Sequence, residues 1–273
     1  MAQTEVPLSE VVPVPRWDIL GIPVLAGRGN EVTQELDSRL AAGERIKLTY
    51  LNAHASNVAA GDPEFLAALQ TFSILNDGVG VDIAARAFRG QSFPENLNGT
   101  DFTLRFLAAT SQRFRIFLLG ARPGVAEAAV AAIEARLPQH IVAGVRDGYF
   151  DATGAAEVAA QIKASGADLL LVALGNPGQE LWIDRNFRAT GCRMAIGVGA
   201  LFDFLARRVP RAPQVLRQLR LEWAFRLALE PGRLWRRYLI GNPLFLARVA
   251  RQLPRQWAAH AAFGPAQELR RET

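Results

Sequence analysis

The sequence predicts an α/β fold: a Rossmann-like parallel sheet with helices on both faces, extended by a basic helical C-terminal appendage. Three observations lead there. Short strand-like runs alternate with helical stretches from Trp17 to about Pro210. Two of the runs, FRIFLLG (114–120) and DLLLVALG (168–175), are near-continuously apolar, as strands covered on both faces are. Past Pro210 the strand-like runs vanish, and arginine-rich helical stretches replace them.

The elements follow in order. Residues 1–16 carry three prolines and little periodicity, and read as an extended arm. RIKLTYLN (45–52) reads as a strand, and DPEFLAALQTF (62–72) as a helix with Asp62 at the N-cap and Pro63 at the first position. SILND forms a short strand, followed by a helix through Phe88. Thr100-Asp101 open another that ends near Gln112. After FRIFLLG a turn and helix run to about Leu137, HIVAGVR is a strand, and GAAEVAAQIKASG is a helix with a glycine stop. After DLLLVALG, a helix following NPGQ reaches about Thr190, and RMAIGVGA (193–200) is the last strand. The body is therefore expected over 17–210 and the appendage over 211–273.

Composition bounds the function. Half of the 273 residues are hydrophobic, enough for a full core. A single cysteine, Cys192, excludes an intramolecular disulfide and any multi-cysteine metal site. No signal-peptide pattern is visible and no run approaches the roughly 20 apolar residues of a membrane span. The expectation is a cytoplasmic protein. Charge is unevenly placed: the net +5 conceals ten arginines against two glutamates over 211–257, leaving residues 1–210 at −3. A mildly acidic body with a strongly basic tail suits anionic lipid, nucleic acid or a diphosphate.

In an open α/β sheet, ligands bind beyond the carboxyl ends of the strands. Here those ends read LTYLNAH, ILNDGVG, FLLGARPG, VALGNPGQE and IGVGALFDF, polar or glycine-rich in each case. Asp77 at the end of the second run either caps the following helix or stands open to a ligand, with Gly78 and Gly80 giving access. Gly120 and Gly124 in GARPGVAE suit a phosphate at a helix start, or an ordinary βα turn. In GNPGQE, an N-cap accounts for Asn176 but does not require Gln179. The GVGVDIA run lacks the third glycine of a dinucleotide fingerprint. Metal chemistry is poorly supported too. His54, His140 and His260 are scattered, and no Asp-x-Asp pair is present.

The ordered set LNAHASN, LNDGVGVDIAAR, ENLNGTD, FLLGARPGVAE, DGYFD, LLLVALGNPGQELWI, AIGVGALFDFLA, RVPRAP and LEWAFRLALEPGRLWRRYLIGNP resembles the WecG/TagA/CpsF bacterial glycosyltransferases over about residues 17–246. The resemblance implies transfer from a UDP-sugar to a polyprenyl-diphosphate-linked saccharide at the inner face of the plasma membrane. It implies Asp77 as general base, Asn52 and Gln179 as site residues, and Arg226, Arg233 and Arg236 as appendage arginines that dock on the membrane and complete the pocket. It implies Tyr149 and Asp203 near the nucleotide, where Gly120, Gly124, Asn176 and Gly199 are also expected. Three departures from the N-acetylmannosamine transferases stand out: Tyr50 in place of threonine, Asn96 in place of arginine, and Asn76 in place of proline. The ENLNGTD form looks more like exopolysaccharide members.

The chemistry expected is inverting single displacement without metal or cofactor, the backbone N–H groups of the 120–124 turn and the tail arginines stabilising the departing diphosphate. Tryptophans among those arginines favour an anionic membrane surface over nucleic acid. A non-catalytic nucleotide or lipid-phosphate binding protein is the alternative.

Overall fold

The computed structural model describes residues 12–151, 153–213, 215–216 and 221–263, the side chains of 255–263 excepted. An antiparallel hairpin, β1 (Arg16–Ile19) and β2 (Ile22–Leu25), leads the chain into α1 (Gly29–Ala41). The sequence reading had placed no strand there. The hairpin is closed by Leu20-Gly21, both at positive φ, and Asp18 accepts the Gly21 N–H. The end of the arm is docked on it: Val14 is buried, and its N–H donates to the Glu35 carboxylate at 2.7 Å.

The βα units then run in order. β3 (Ile46–Leu51) is followed by α2 (Ala53–Gly61) and α3 (Pro63–Leu69), and β4 (Ser73–Asn76) by α4 (Val79–Arg89) and α5 (Gly99–Ala109). β5 (Arg115–Gly120), α6 (Val125–Arg136), β6 (Ile141–Arg146), α7 (Ala155–Ala164), β7 (Leu169–Ala173), α8 (Gly178–Thr190), β8 (Met194–Gly197) and α9 (Leu201–Leu205) complete the body. Asp62 caps α3 through the Phe65 N–H with Pro63 at the first position, as its sequence predicts.

Six strands form a parallel sheet in the order β4-β3-β8-β7-β5-β6. One face is covered by α1, α5, α6 and α9, through residues such as Leu36, Phe106, Ala129 and Phe202. The other is covered by α2, α4, α7 and α8, through residues such as Ala55, Val81, Ile162 and Ile183. α6 and α8 therefore leave the neighbouring strands β5 and β7 toward opposite faces. That divergence opens a crevice at the carboxyl ends of β5 and β7, where a sheet of this kind takes its ligand.

Beyond the body come α10 (Glu222–Leu229), α11 (Pro231–Trp235), a π-helical turn (Arg236–Ile240) and α12 (Gly241–Phe263). Arg217 and Arg220 of the basic tail lie outside the described residues, as do the side chains of Arg255, Trp257 and His260. α12 packs on α2 and α4, and its Phe245 is fully buried in the body's core. Arg248 donates to the Ser56 carbonyl, and Asn57 donates to the Gly241 carbonyl at 2.7 Å. The appendage is thus joined to the core by side chains that its arginine-rich sequence does not advertise.

Candidate active site

The β3 and β4 ends place the first pair of residues. Asn52 ends β3 and caps α2, its Oδ1 accepting the Ala55 N–H at 3.0 Å. Its Nδ2 points the other way, to Asp77 Oδ2 at 3.4 Å. The Asp77 N–H continues the β3–β4 ladder by donating to the Leu51 carbonyl at 2.8 Å, which fixes the two side chains side by side. Asp77 does not cap α4: the N-cap is Gly78, and no side chain takes that role. Gly78 has φ +90°, and its N–H donates to Asn96 Oδ1, so the backbone turns away beneath the carboxylate. Burial pushes the Asp77 carboxyl above the usual carboxylate range. The Asn52 hydrogen bond and the charges of Arg237 and Arg226 pull it back in part.

Around this pair lies a cavity of about 1120 Å³ bounded by the strand ends and the appendage. Tyr50, Asn52, Asp77, Tyr149, Asn176, Gln179, Gly199 and Asp203 all line it. Tyr50 is held by packing: its hydroxyl shares a 2.8 Å hydrogen bond with Thr103, and burial keeps the phenol protonated. Gly99 passes so close that an added Cβ would lie 2.9 Å from the Tyr50 ring. Tyr149 is 68% exposed, on the loop after β6.

At the β5–β7 crevice, Gly120 has φ +122°, and a Cβ there would come within 2.6 Å of the Ala173 backbone. Gly124 has φ +79° at the N-cap of α6. Neither glycine lines the cavity; Ala121, Arg122, Pro123 and Val125 between and beside them do. Their contribution is the shape of the turn.

The GNPGQE element is a buried hub. Glu180 Oε1 accepts from Thr49 Oγ1 at 2.7 Å, from Gln179 Nε2 at 2.8 Å and from Asn176 Nδ2. Burial raises the Glu180 carboxyl above its usual range, and these donors pull against that. Asn176 therefore does not cap α8, whose N-cap is Pro177. Gln179 is buried, and its Oε1 accepts the Gly199 N–H at 3.1 Å. Its Oε1 thus joins the α8 start to the loop after β8, while its Nε2 stays within α8 on Glu180.

The appendage forms the roof. Arg226 and Arg237 line the cavity, their guanidinium groups 5.5 Å above the Phe204 ring and 5.7 Å above the Tyr238 ring respectively. Both Nε atoms are buried, and no hydrogen-bond partner for either lies among the described residues. Burial lowers the Arg237 pKa. Arg233 also lines the cavity, paired with Glu230 at 2.6 Å.

The profile of the family described as glycosyl transferase WecG/TagA/CpsF matches residues 17–259. The chain belongs to this family. It is 34% identical over 195 residues to the N-acetylglucosaminyldiphosphoundecaprenol N-acetyl-β-D-mannosaminyltransferase of Bacillus subtilis (strain 168), covering 70% of this chain and 74% of the relative. The protein of the same description from Bacillus spizizenii is 34% identical over 183 residues, 66% of this chain and 70% of that one. The chain is a glycosyltransferase, which sets aside the reading as a non-catalytic binding protein.

One expected residue of the transferase is displaced. Arg236 does not line the cavity; its guanidinium lies on the exposed side, 5.3 Å above the Trp235 ring. Arg237 takes the inward position. The π-helical turn that begins at Arg236 adds a residue to the helical repeat between these arginines and α12. A signal was present in the sequence: 226, 233 and 237 are spaced seven and four apart, one helical face. The break at Pro231-Gly232 weakened it, since α10 ends at Leu229. Arg122, Arg208, Glu222, Trp223 and Tyr238 also line the cavity without having been singled out.

Proposed function

We propose that this transferase moves a sugar from a UDP-sugar to a polyprenyl-diphosphate-linked saccharide by inverting single displacement, without a metal. The observation that carries the reading is one cavity lined by a carboxylate that caps no helix and by two arginines whose buried Nε groups have no partner among the described residues. The acceptor hydroxyl oxygen attacks the anomeric carbon, and the carbon–oxygen bond to the diphosphate breaks with its electron pair leaving on UDP. Asp77 takes the hydroxyl proton, and its raised pKa suits that task. Asn52 orients the carboxylate. Arg226 and Arg237 meet the charge that develops on the diphosphate with fixed donors. The crevice between β5 and β7, with Arg122 and Tyr149, suits the nucleotide.

The acceptor class follows from the relatives, whose description prints N-acetylglucosaminyldiphosphoundecaprenol. Tyr50, Asn96 and Asn76 support a donor sugar other than theirs and an exopolysaccharide product. A peripheral position at the inner membrane face is supported by exposed Leu229, Trp235, Leu239, Ile240, Leu244 and Leu246 beside the basic residues of the appendage. Among the described residues, no helix is long and apolar enough to cross a membrane.

The test is UDP release from a panel of UDP-sugars with a synthetic lipid-diphosphate sugar, in EDTA, wild type beside Asp77→Asn. Acceptor-dependent release by the wild type alone is expected. Release that requires an added divalent cation would overturn the metal-independent reading, and equal release by the variant would remove Asp77 as the base.

A further inference from the structure

The roof carries a second set of groups that the displacement step does not use. Glu222 and Trp223 follow one another at the start of α10, and Tyr238 sits on the π-helical turn. All three are half-buried and line the cavity. The Trp223 and Tyr238 rings lie 5.9 Å apart, inclined at 55°. Glu222 makes no hydrogen bond or ion pair among the described residues. Arg211, the cation with the largest influence on it, is paired with Asp101 instead. Burial, Asp77 and Asp101 raise the Glu222 carboxyl, so it shares the electrostatic surroundings of the base. Across from it, Asn96 spends its Oδ1 on the Gly78 N–H, and its Nδ2 makes no hydrogen bond among the described residues.

A carboxylate next to an aromatic pair is poorly suited to a diphosphate, which it repels. It suits a neutral ring with one apolar C–H face and hydroxyls at its edge. The aromatic surfaces can cover the C–H face, and the carboxylate can accept from the hydroxyls. The ring concerned must also present a hydroxyl to Asp77, because that is where the proton is taken.

We propose that Glu222, Trp223 and Tyr238 form a pyranose subsite on the roof, opposite Asp77, that holds the acceptor's sugar ring. The assignment rests on the transfer reaction proposed above and deepens it: the appendage supplies acceptor specificity as well as positive charge. Trp223 and Tyr238 hold the plane of the ring. Glu222 fixes its rotation, so that one hydroxyl faces the base.

Two measurements test the subsite. In steady-state transfer, Trp223→Ala raises the acceptor KM at least about tenfold while the donor KM stays within threefold, and Trp223→Phe recovers most of the loss. Glu222→Gln, which keeps shape and removes charge, raises the acceptor KM about fivefold. A rise confined to the donor KM would overturn the acceptor assignment; no change in either constant would overturn the subsite. The second measurement needs no turnover. N-acetylglucosamine diphosphate carrying a short prenyl chain is titrated calorimetrically into Asp77→Asn, and then into Asp77→Asn with Trp223→Ala. Affinity falling at least about fivefold supports the subsite, and equal affinity overturns it. If Asp77→Asn itself turns over at the wild-type rate, the general-base assignment fails while this titration still reports on Trp223. Melting temperatures of the variants separate a binding loss from a folding loss.

Discussion

Three arginines of the body and two of the roof, Arg226 and Arg237, are used in different ways. Arg39 bridges Glu35 and Glu44. Arg45 donates to the backbone carbonyls of Cys192 and Phe187, and Arg105 pairs with Glu95. These side chains are consumed in holding loops and helices together. Arg226 and Arg237 also lie over aromatic faces, as Arg45 and Arg105 do, but no ion pair or carbonyl takes up their buried Nε groups among the described residues. A buried donor in that state costs about 1–3 kcal/mol. On the transfer reaction proposed above, the ligand's anionic part belongs at the roof, where a bound anion would meet donors that have no partner among the described residues.

The sharpest way to break this picture is at the floor. Asp77→Asn should lower kcat by roughly 10²–10⁴-fold while leaving UDP affinity within a factor of about three, read by initial rates and calorimetry. It should not lower the melting temperature. Because the folded state raises the Asp77 pKa, the native carboxyl holds its proton more tightly than the unfolded one. Its stabilising contribution is present at low pH and is lost as pH rises through the folded pKa, so the amide should raise the neutral-pH melting temperature.

The next effect separates two adjacent residues. Arg237→Gln should reduce kcat/KM by about 10- to 100-fold, the scale of a lost charge-assisted hydrogen bond, and Arg236→Gln by no more than about twofold. Equal effects at the two positions would mean that the inward-facing Arg237 is not the one of the pair that meets the ligand. Arg237→Gln also removes a cation that lowers the Asp77 pKa, so the acidic limb of its pH–rate profile should move to higher pH. The smallest effect is expected at Gln179. Gln179→Ala leaves the Gly199 N–H without its acceptor, a loss of about 1–3 kcal/mol that a thermal melt would register. Its donor KM should rise by no more than about threefold.

The body was largely legible because its strands are short, apolar on both faces and separated by helices with ordinary punctuation. The N-terminal hairpin was not legible: RWDI and IPVL are four residues each, prolines surround them, and the Leu20-Gly21 turn is not a strong hairpin dipeptide. Helix α2 was missed for a different reason. AHASNVAAG has almost no apolar stripe, since α12 covers it with Phe245 from 184 residues beyond its last glycine. The ligand end of the sheet could be read from the polar strand endings. The functional weight of Gln179 could not, because its polar atoms turn inward to Gly199 and Glu180. Glycines 120 and 124 suited either a phosphate or an ordinary βα turn; both take positive φ, and the residues between and beside them line the cavity. On the roof, the spacing of Arg226, Arg233 and Arg237 was broken at Pro231-Gly232, so Arg236 was expected where Arg237 lines the cavity, and Glu222, Trp223 and Tyr238 joined it only through tertiary placement.

The π-helical turn has a consequence for how this protein tolerates change. Its Gly241 N–H reaches back to the Arg236 carbonyl, five residues earlier, so the segment holds one residue more than an α-helix would need. That residue acts as a phase offset between the roof and α12. Inserting a further residue between Tyr238 and Ile240, beyond the one the π-helical turn already absorbs, would rotate everything downstream by about 100°. Phe245 would leave the core while Arg237 kept its place in the cavity. Substitutions in this stretch are tuning; a change of length is a change of gear, and chain length there is inherited information as much as residue identity is.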